Sequence, residues 1–226
     1  MRGTTVQFWR RRAFPSFALF FALVTASAGC QTAYYSFWEK LGREKRDLLE
    51  SNVRSAESQQ REIQKQFKDT LSRVRAEFKV NGGDLESAYD SLSDDYESAS
   101  KKADSLRGRI KNVKTIADDL FAEWAAEAKT IQTASLRDDS REKLRASRQR
   151  FDRMYASMHK VEKAMDPVLA RLKDQVLYLK HNLNAKAVDA LQGELKDVER
   201  EISDLNQVIN HSIQASETFT QTFRAL

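Results

Sequence analysis

The sequence predicts an all-α chain, an elongated antiparallel helical bundle or coiled coil of four long helical segments that follows a short apolar leader. Three observations carry this. The chain has 7 glycines and 2 prolines in 226 residues and is rich in Ala, Glu, Lys, Leu, Arg, Gln and Ser, a composition that favours helices over strands. Apolar residues recur at alternating steps of three and four over long stretches, the heptad signature of helices that bury one stripe. Between those stretches stand clusters of Asn, Gly, Ser and Thr, where helices end and restart.

The leader, residues 1–29, carries Arg2, Arg10, Arg11 and Arg12 and no acid, then an apolar run from Ala13 to about Ala26 with Phe14, Phe17, Leu19, Phe20, Phe21, Leu23 and Val24. That is the layout of a cleavable signal peptide. The run is short for a permanent span, which takes about 20 apolar residues, and Pro15 interrupts its start. Ala28-Gly29-Cys30 resembles the lipobox of bacterial lipoproteins, with Ser27 where that pattern normally has leucine. The resemblance implies that Cys30, the only cysteine, receives diacylglycerol and becomes the first residue of the mature chain. An ordinary cleaved signal and a buried structural thiol are the competing readings. A lone cysteine has no partner for an internal disulfide, whereas two acyl chains suffice for stable anchoring. Gln31 follows, where the sorting rule of such lipoproteins places aspartate in those kept at the inner membrane. The resemblance therefore implies the outer membrane, on its periplasmic face. Arg11-Arg12-Ala13-Phe14 also resembles a twin-arginine export core.

Residues 30–226 are long enough for one domain with a substantial core, and the spacing divides them into four segments at about 34–80, 84–132, 136–181 and 184–222. The first keeps a weak seam through Leu49, Val53, Ala56, Gln60, Ile63, Phe67, Thr70 and Val74. Asn81-Gly82-Gly83 ends it and Asp84 caps the next. The second has the strongest seam, Leu85, Tyr89, Leu92, Tyr96, Ala99, Ala103, Leu106, Ile110, Val113, Ala117, Leu120 and Trp124. Thr133-Ala134-Ser135 offers hydroxyl caps before Leu136. The third seam runs Leu144, Ser147, Phe151, Met154, Met158, Val161, Met165, Val168 and Leu172, with Asp166-Pro167 as a kink or an internal restart capped by Asp166. Asn182 or Asn184 breaks and recaps the chain before Ala185, and the fourth seam is Val188, Leu191, Leu195, Val198, Ile202, Leu205 and Ile209. The breaks after segments two and three are softer than the first. At about 1.5 Å per residue, such segments build a rod about 60–70 Å long.

The net charge of +5 invites nucleic acid as a partner until it is located. Four of the 38 cations and none of the 33 acids precede Cys30, so the mature chain carries 34 against 33, a net of +1, in a compartment without nucleic acid. By segment the net charge alternates in sign: residues 31–83, 84–135, 136–183 and 184–226 carry +3, −4, +5 and −3. In an up-down-up-down ring every neighbouring pair is then of opposite sign. Since exposed pairs contribute only about 0–1 kcal/mol, the pattern selects neighbours and register more than it stabilises.

Candidate sites are few. Tyr34, Tyr35, Phe37 and Trp38 follow the anchor and suit either a membrane interface or the first core layers with Leu41. Arg137, Arg141, Lys143, Arg145, Arg148, Arg150 and Arg153 form a basic stretch that would meet an anionic partner, interleaved with Asp138, Asp139, Glu142 and Asp152 as on a solvated face. His159, His181 and His211 have no carboxylate or cysteine at metal-ligand spacing, and no Glu-x-x-His pair exists. Asp94-Asp95 and Asp118-Asp119 fall off the seam and read as solvated acids. No phosphate loop or nucleophile motif occurs, so neither enzymatic activity nor a cofactor is expected.

Gly29-Cys30-Gln31 with Ala33-Tyr34-Tyr35-Ser36, Lys45-Arg46-Asp47, Gly82-Gly83-Asp84-Leu85-Glu86, Ala134-Ser135-Leu136-Arg137, Pro167-Val168-Leu169 and the run Asp174 to Ala185 resembles domain-of-unknown-function family 2959. The resemblance covers nearly all of the mature chain and implies a Gram-negative lipoprotein of helical build, with no activity attached. The polar His181-Asn182-x-Asn184 turn is best explained by capping, with contact to a partner as the alternative. The expectation is a non-catalytic scaffold or adaptor, held to the membrane by acyl chains on Cys30 and meeting an envelope protein through residues such as Arg145, Arg148, His181 and Asn182. The alternative is a bundle that holds a lipid or other apolar ligand beside Ala99, Ala103, Met154, Met158 and Met165.

Overall fold

In a computed structural model the backbone is described for residues 18–79 and 85–224, and side-chain surroundings for 44–76, 85–184, 186–187 and 189–224. Four helices follow one another, α1 (Ala18–Lys79), α2 (Leu85–Thr130), α3 (Ala134–His181) and α4 (Ala185–Arg224), and no strand occurs among the described residues. The chain divides into two units, Met1–Arg43 and Glu44–Leu226. The first contains the helical backbone from Ala18 onward. The second is the four-helix bundle.

The boundaries agree with the spacing to within two residues except at the start of α1, which begins at Ala18 rather than near 34. Its sequence from Ala18 to Tyr34 is dominated by Ala, Leu and Phe, with Gly29 as its one strong helix-weakening residue. The Asn81-Gly82-Gly83 stop and the Asp84 cap lie outside the described residues. The other two breaks are real. Between α2 and α3, Thr133 takes the N-cap position, but its hydroxyl makes no capping bond, contrary to expectation. The connection is held instead by Arg137, whose backbone N–H donates to Thr133 O (3.0 Å) and whose guanidinium donates to Ile131 O (3.1 Å). Between α3 and α4, Asn182 Nδ2 donates back to Tyr178 O (3.0 Å), and Asn184 Oδ1 accepts from the N–H groups of Lys186 (3.1 Å) and Ala187 (3.3 Å). Capping therefore accounts for the Asn-x-Asn turn: one amide satisfies an orphan carbonyl of α3 and the other the orphan donors of α4. Pro167 neither ends nor restarts α3, which continues through it. Asp166 does not cap; its carboxylate accepts from Arg107 of α2 at 2.6 Å.

Cross-helix contacts define an antiparallel ring. Along α1, Lys45 faces Glu123, Gln59 faces Ser105 and Arg73 faces Asp95, so partner numbers on α2 fall as those on α1 rise. The same inverse order links α2 to α3 through Arg107–Asp166 and Trp124–Ser140. Helix α3 meets α4 through Arg171 with Glu194 and Glu201. Helix α4 closes on α1 through Arg224–Glu50, Glu217–Arg61, Asn210–Gln64 and Glu199–Arg75. Most of these ion pairs place the cation on α1 or α3 and the acid on α2 or α4, as the alternating segment charge requires; Arg107–Asp166 and Arg224–Glu50 run the other way. The helices α2, α3 and α4 have 46, 48 and 40 residues, or about 60–72 Å each at 1.5 Å per residue.

The core follows the seams closely. All eight seam residues of α1, including Gln60 and Thr70, are buried. In α3 every seam residue from Ser147 to Leu172 is buried, and Leu144 packs against the edge. Two corrections concern phase. At the start of α2 the innermost residues are Ala88, Leu92, Asp95 and Ala99, while Leu85, Tyr89 and Tyr96 flank the core partly buried. Asp95 is thus not a solvated acid: it is 8% exposed and takes a two-pronged bond from Arg73, with Nε to Oδ2 at 2.7 Å. In α4 the buried stripe runs on past Ile209 through Ser212, Ile213, Ser216, Phe219, Thr220 and Phe223. An aromatic cluster ties three helices together, with Phe151 edge-on to Phe121 (5.7 Å between centroids) and to Phe219 (5.8 Å), and Phe219 stacked on Phe223 (5.0 Å).

Candidate functional site

The end of the bundle where α1 continues from Arg43, where α2 passes to α3 and where α4 ends is the proximal end; the α3–α4 turn marks the distal end. Cys30 lies on the helical backbone of α1, but its side chain and those of Tyr34, Tyr35, Phe37, Trp38 and Leu41 are outside the described side chains. The first described layer is charged and aromatic. Arg46 lies 5.0 Å from the centroid of the Trp124 ring, Lys45 pairs with Glu123 (2.7 Å), and Trp124 Nε1 donates to Ser140 Oγ (3.0 Å). Burial, reinforced by the Glu123 charge, pushes the Glu127 carboxyl above its usual range, against the pull of Lys45 and Arg46. On the opposite flank the hydrogen bond from Arg224 holds the Glu50 carboxyl below that range.

The basic stretch of α3 resolves into residues with different roles. Arg137 closes the α2–α3 connection, and Arg141 and Lys143 pair within their own helix to Asp138 (3.8 Å) and Asp139 (2.9 Å). Arg148 reaches across to Asp118 (4.0 Å) and lies 6.0 Å from the Phe121 ring centroid, so part of its charge is spent inside the bundle. Arg145 is exposed and has no partner among the described residues. The stretch is therefore a solvated face on which Arg145 and Arg153 are exposed and, like the half-buried Arg150, have no ion-pair partner among the described residues.

The second predicted contact region, His181 and Asn182, sits at the far end, so the structure does not bring it together with Arg145 and Arg148. Asn182 is half-buried and engaged in capping, while His181 is exposed. Beside them Leu177, Tyr178 and Leu183 are 45%, 39% and 48% exposed. Sequence spacing missed this patch because Leu177 and Tyr178 fall outside the seam and carry no periodic signal. His159 stacks on Tyr155 and binds Glu162, and His211 is exposed on α4, so the three histidines remain apart. Among the described residues no group of His, Cys, Asp and Glu is arranged to hold a metal ion. No described helix is long and apolar enough to cross a membrane.

The residues named for an apolar-ligand site, Ala99, Ala103, Met154, Met158 and Met165, are all at most 1% exposed within the common core. Two glutamines in that core stand out. Neither amide atom of Gln60 on α1 or Gln175 on α3 has a hydrogen-bond partner among the described residues, nor do the hydroxyls of Thr70 and Ser212.

A family model described as a protein of unknown function (DUF2959) matches residues 34–223. No curated protein and no solved structure matches the chain.

Proposed function

The chain belongs to this family of unknown function (DUF2959), and on that premise we propose that it is a non-catalytic scaffold or adaptor of the bacterial envelope, lipid-anchored through Cys30 on the periplasmic face of the outer membrane. The observation that carries this reading is the position of the only cysteine, at the end of a basic-then-apolar leader and four residues before the family match begins. The build of the bundle supports it. Most of its large apolar residues are used in packing four helices together, and the surface outside the core is largely charged. Scaffolds work in that way, by presenting a rigid surface rather than reacting groups.

The test is purification from the membrane after mild crosslinking in cells, with Cys30→Ala as the unanchored control. A recurrent protein partner that depends on Cys30 is the expected result. Recovery of the protein alone, with lipid beyond its own acyl chains, would move the assignment to a bundle that binds an apolar ligand. For the contact face, Arg145→Glu is the cleaner probe, because Arg148→Glu also removes the Asp118 and Phe121 contacts. If the face carries the contact, Arg145→Glu lowers partner capture with helicity unchanged by circular dichroism, and Arg145→Glu with Arg148→Glu abolishes it. Unchanged capture by the double variant excludes this face.

A further inference from the structure

The distal turn divides into groups that the fold uses and groups that it does not. Asn182 and Asn184 are consumed in capping. Lys180 and His181, in the last turn of α3, sit where the helix dipole favours cations. Folding does not explain the remainder. Leu177, Tyr178 and Leu183 are each exposed within seven residues of chain, and Lys186 lies in the first turn of α4, which holds no acid and where the dipole disfavours a cation. Lys180, His181 and Lys186 are all exposed and have no ion-pair partner among the described residues. No acid lies between Asp174 and Asp189. The tip therefore combines an aromatic ring, two leucines and two lysines without ion-pair partners among the described residues, at the end of the bundle where the first turn of α2 carries Glu86.

We infer that this tip docks on an anionic phospholipid surface. The chemistry matches residue by residue: Tyr at the headgroup level, Leu into the acyl boundary and Lys against headgroup phosphates. An acidic peptide would satisfy the lysines but would leave the exposed leucines in water, whereas a lipid surface receives both. Glu44, where the bundle begins, lies towards the opposite end, about 60 Å away along α3 from the level of Ser140 at 1.5 Å per residue. A chain anchored at Cys30 would then hold lipid at its tip as well, a consequence that rests on the anchored reading, whereas the lipid contact itself does not.

The membrane-purified protein is placed by its own anchor in phosphatidylcholine vesicles and mixed with labelled, protein-free vesicles. The labelled set contains either phosphatidylcholine with phosphatidylglycerol or phosphatidylcholine alone. Capture of the anionic set alone, weakening as salt is raised, is the expected result. Lys180→Gln with Lys186→Gln should lower capture on the order of tenfold, and Leu177→Ser with Tyr178→Ser and Leu183→Ser should do likewise. Lys129→Gln, at an exposed position in the last turn of α2 at the other end, should capture as the native protein does. No capture by the native protein, equal capture of neutral vesicles, or full capture by both tip variants with native helicity would overturn the inference. Retention in the donor vesicles reports the anchor separately. Should retention fail, the anchored reading falls, and the tip is measured on protein held to a bead by a C-terminal tag, which leaves the distal end facing the labelled vesicles.

Discussion

The α2–α3 pair and the α4–α1 pair occupy equivalent places in the ring and are built differently. The first is joined by a connection of three residues, Ile131 to Thr133, and its seams meet through Leu106, Ile110, Val113 and Phe121 on α2 and Phe151, Met154, Met158, Val161 and Met165 on α3, with Asp95, Ser147, Ser157 and Gln175 as their buried polar residues. The second has no connection. Its buried stripe includes Gln60 and Thr70 on α1 and Ser212, Ser216 and Thr220 on α4, and its flank carries Arg61–Glu217, Arg75–Glu199 and Arg224–Glu50. A hairpin receives its neighbour and register from its short link. A closing pair has to find both through side chains, and polar groups do this because a slipped register leaves them worse matched than apolar ones.

The largest effect is expected from breaking the apolar pair at its centre. Phe151→Ala removes a ring held between Phe121 and Phe219 and should lower unfolding stability by about 3–5 kcal/mol, read as a fall in the urea midpoint. An effect under about 1 kcal/mol would mean that the aromatic cluster does not join three helices. Gln60→Leu sharpens the other side. Removing a fully buried amide without partners should raise stability by about 1–3 kcal/mol. If the amide serves register, the same variant should broaden amide NMR signals along α1 and α4 while leaving those of α2 and α3 sharp.

These two sites also show how much the sequence disclosed. Phe151 and its seam were legible because apolar side chains repeat with the period of the helix. The continuation of α4 was not, because Ser212, Ser216 and Thr220 look polar in a list of residues. In the bundle they are small enough to lie at a helix contact, and the hydroxyls of Ser216 and Thr220 bond back to carbonyls of their own helix, Ser212 O (2.9 Å) and Ser216 O (3.1 Å). Asp95 was misread for another reason. Stepping back from Ala99 by three and four reaches either Tyr96 and Tyr89 or Asp95 and Ala88, and the apolar pattern favoured the tyrosines. The tyrosines are half-buried, and the inner place goes to Asp95 because Arg73, on another helix, supplies its partner. Of the candidate contacts, the basic face was visible as composition, but that Arg148 is engaged while Arg145 is not depends on Asp118 and Phe121 across the ring. The apolar tip was invisible because exposure outside the seam leaves no periodic trace.

Smaller changes refine the comparison. Gly108 on α2 and Gly193 on α4 have open space where a Cβ would stand, so Gly108→Ala and Gly193→Ala should each raise the thermal midpoint, by about 0.5–1 kcal/mol of stability. Similar gains on both sides would show that the two pairs differ in their seams and not in helix propensity. The smallest effect should come from Glu50→Gln. The Glu50 carboxyl is held below its usual range by Arg224, so its contribution is present above the ordinary glutamate value and is lost as pH falls through the lowered one. The native protein should exceed Glu50→Gln in thermal midpoint at neutral pH, with the difference closing under acid conditions. A difference that does not change with pH would remove charge from the account of how α4 meets α1.

Arg224, near the end of α4, grips Glu50, close to where α1 enters the bundle, and this fixes how the molecule answers to tension. A pull between those two ends of the bundle strains one layer at a time and peels α4 from α1, as a zip opens. A pull between Glu44 and the α3–α4 turn acts along the helix axes and strains every layer together, in shear. One set of side-chain contacts is thus compliant along one line of force and stiff along another, and the stiff line runs from the proximal end to the turn at Asn182.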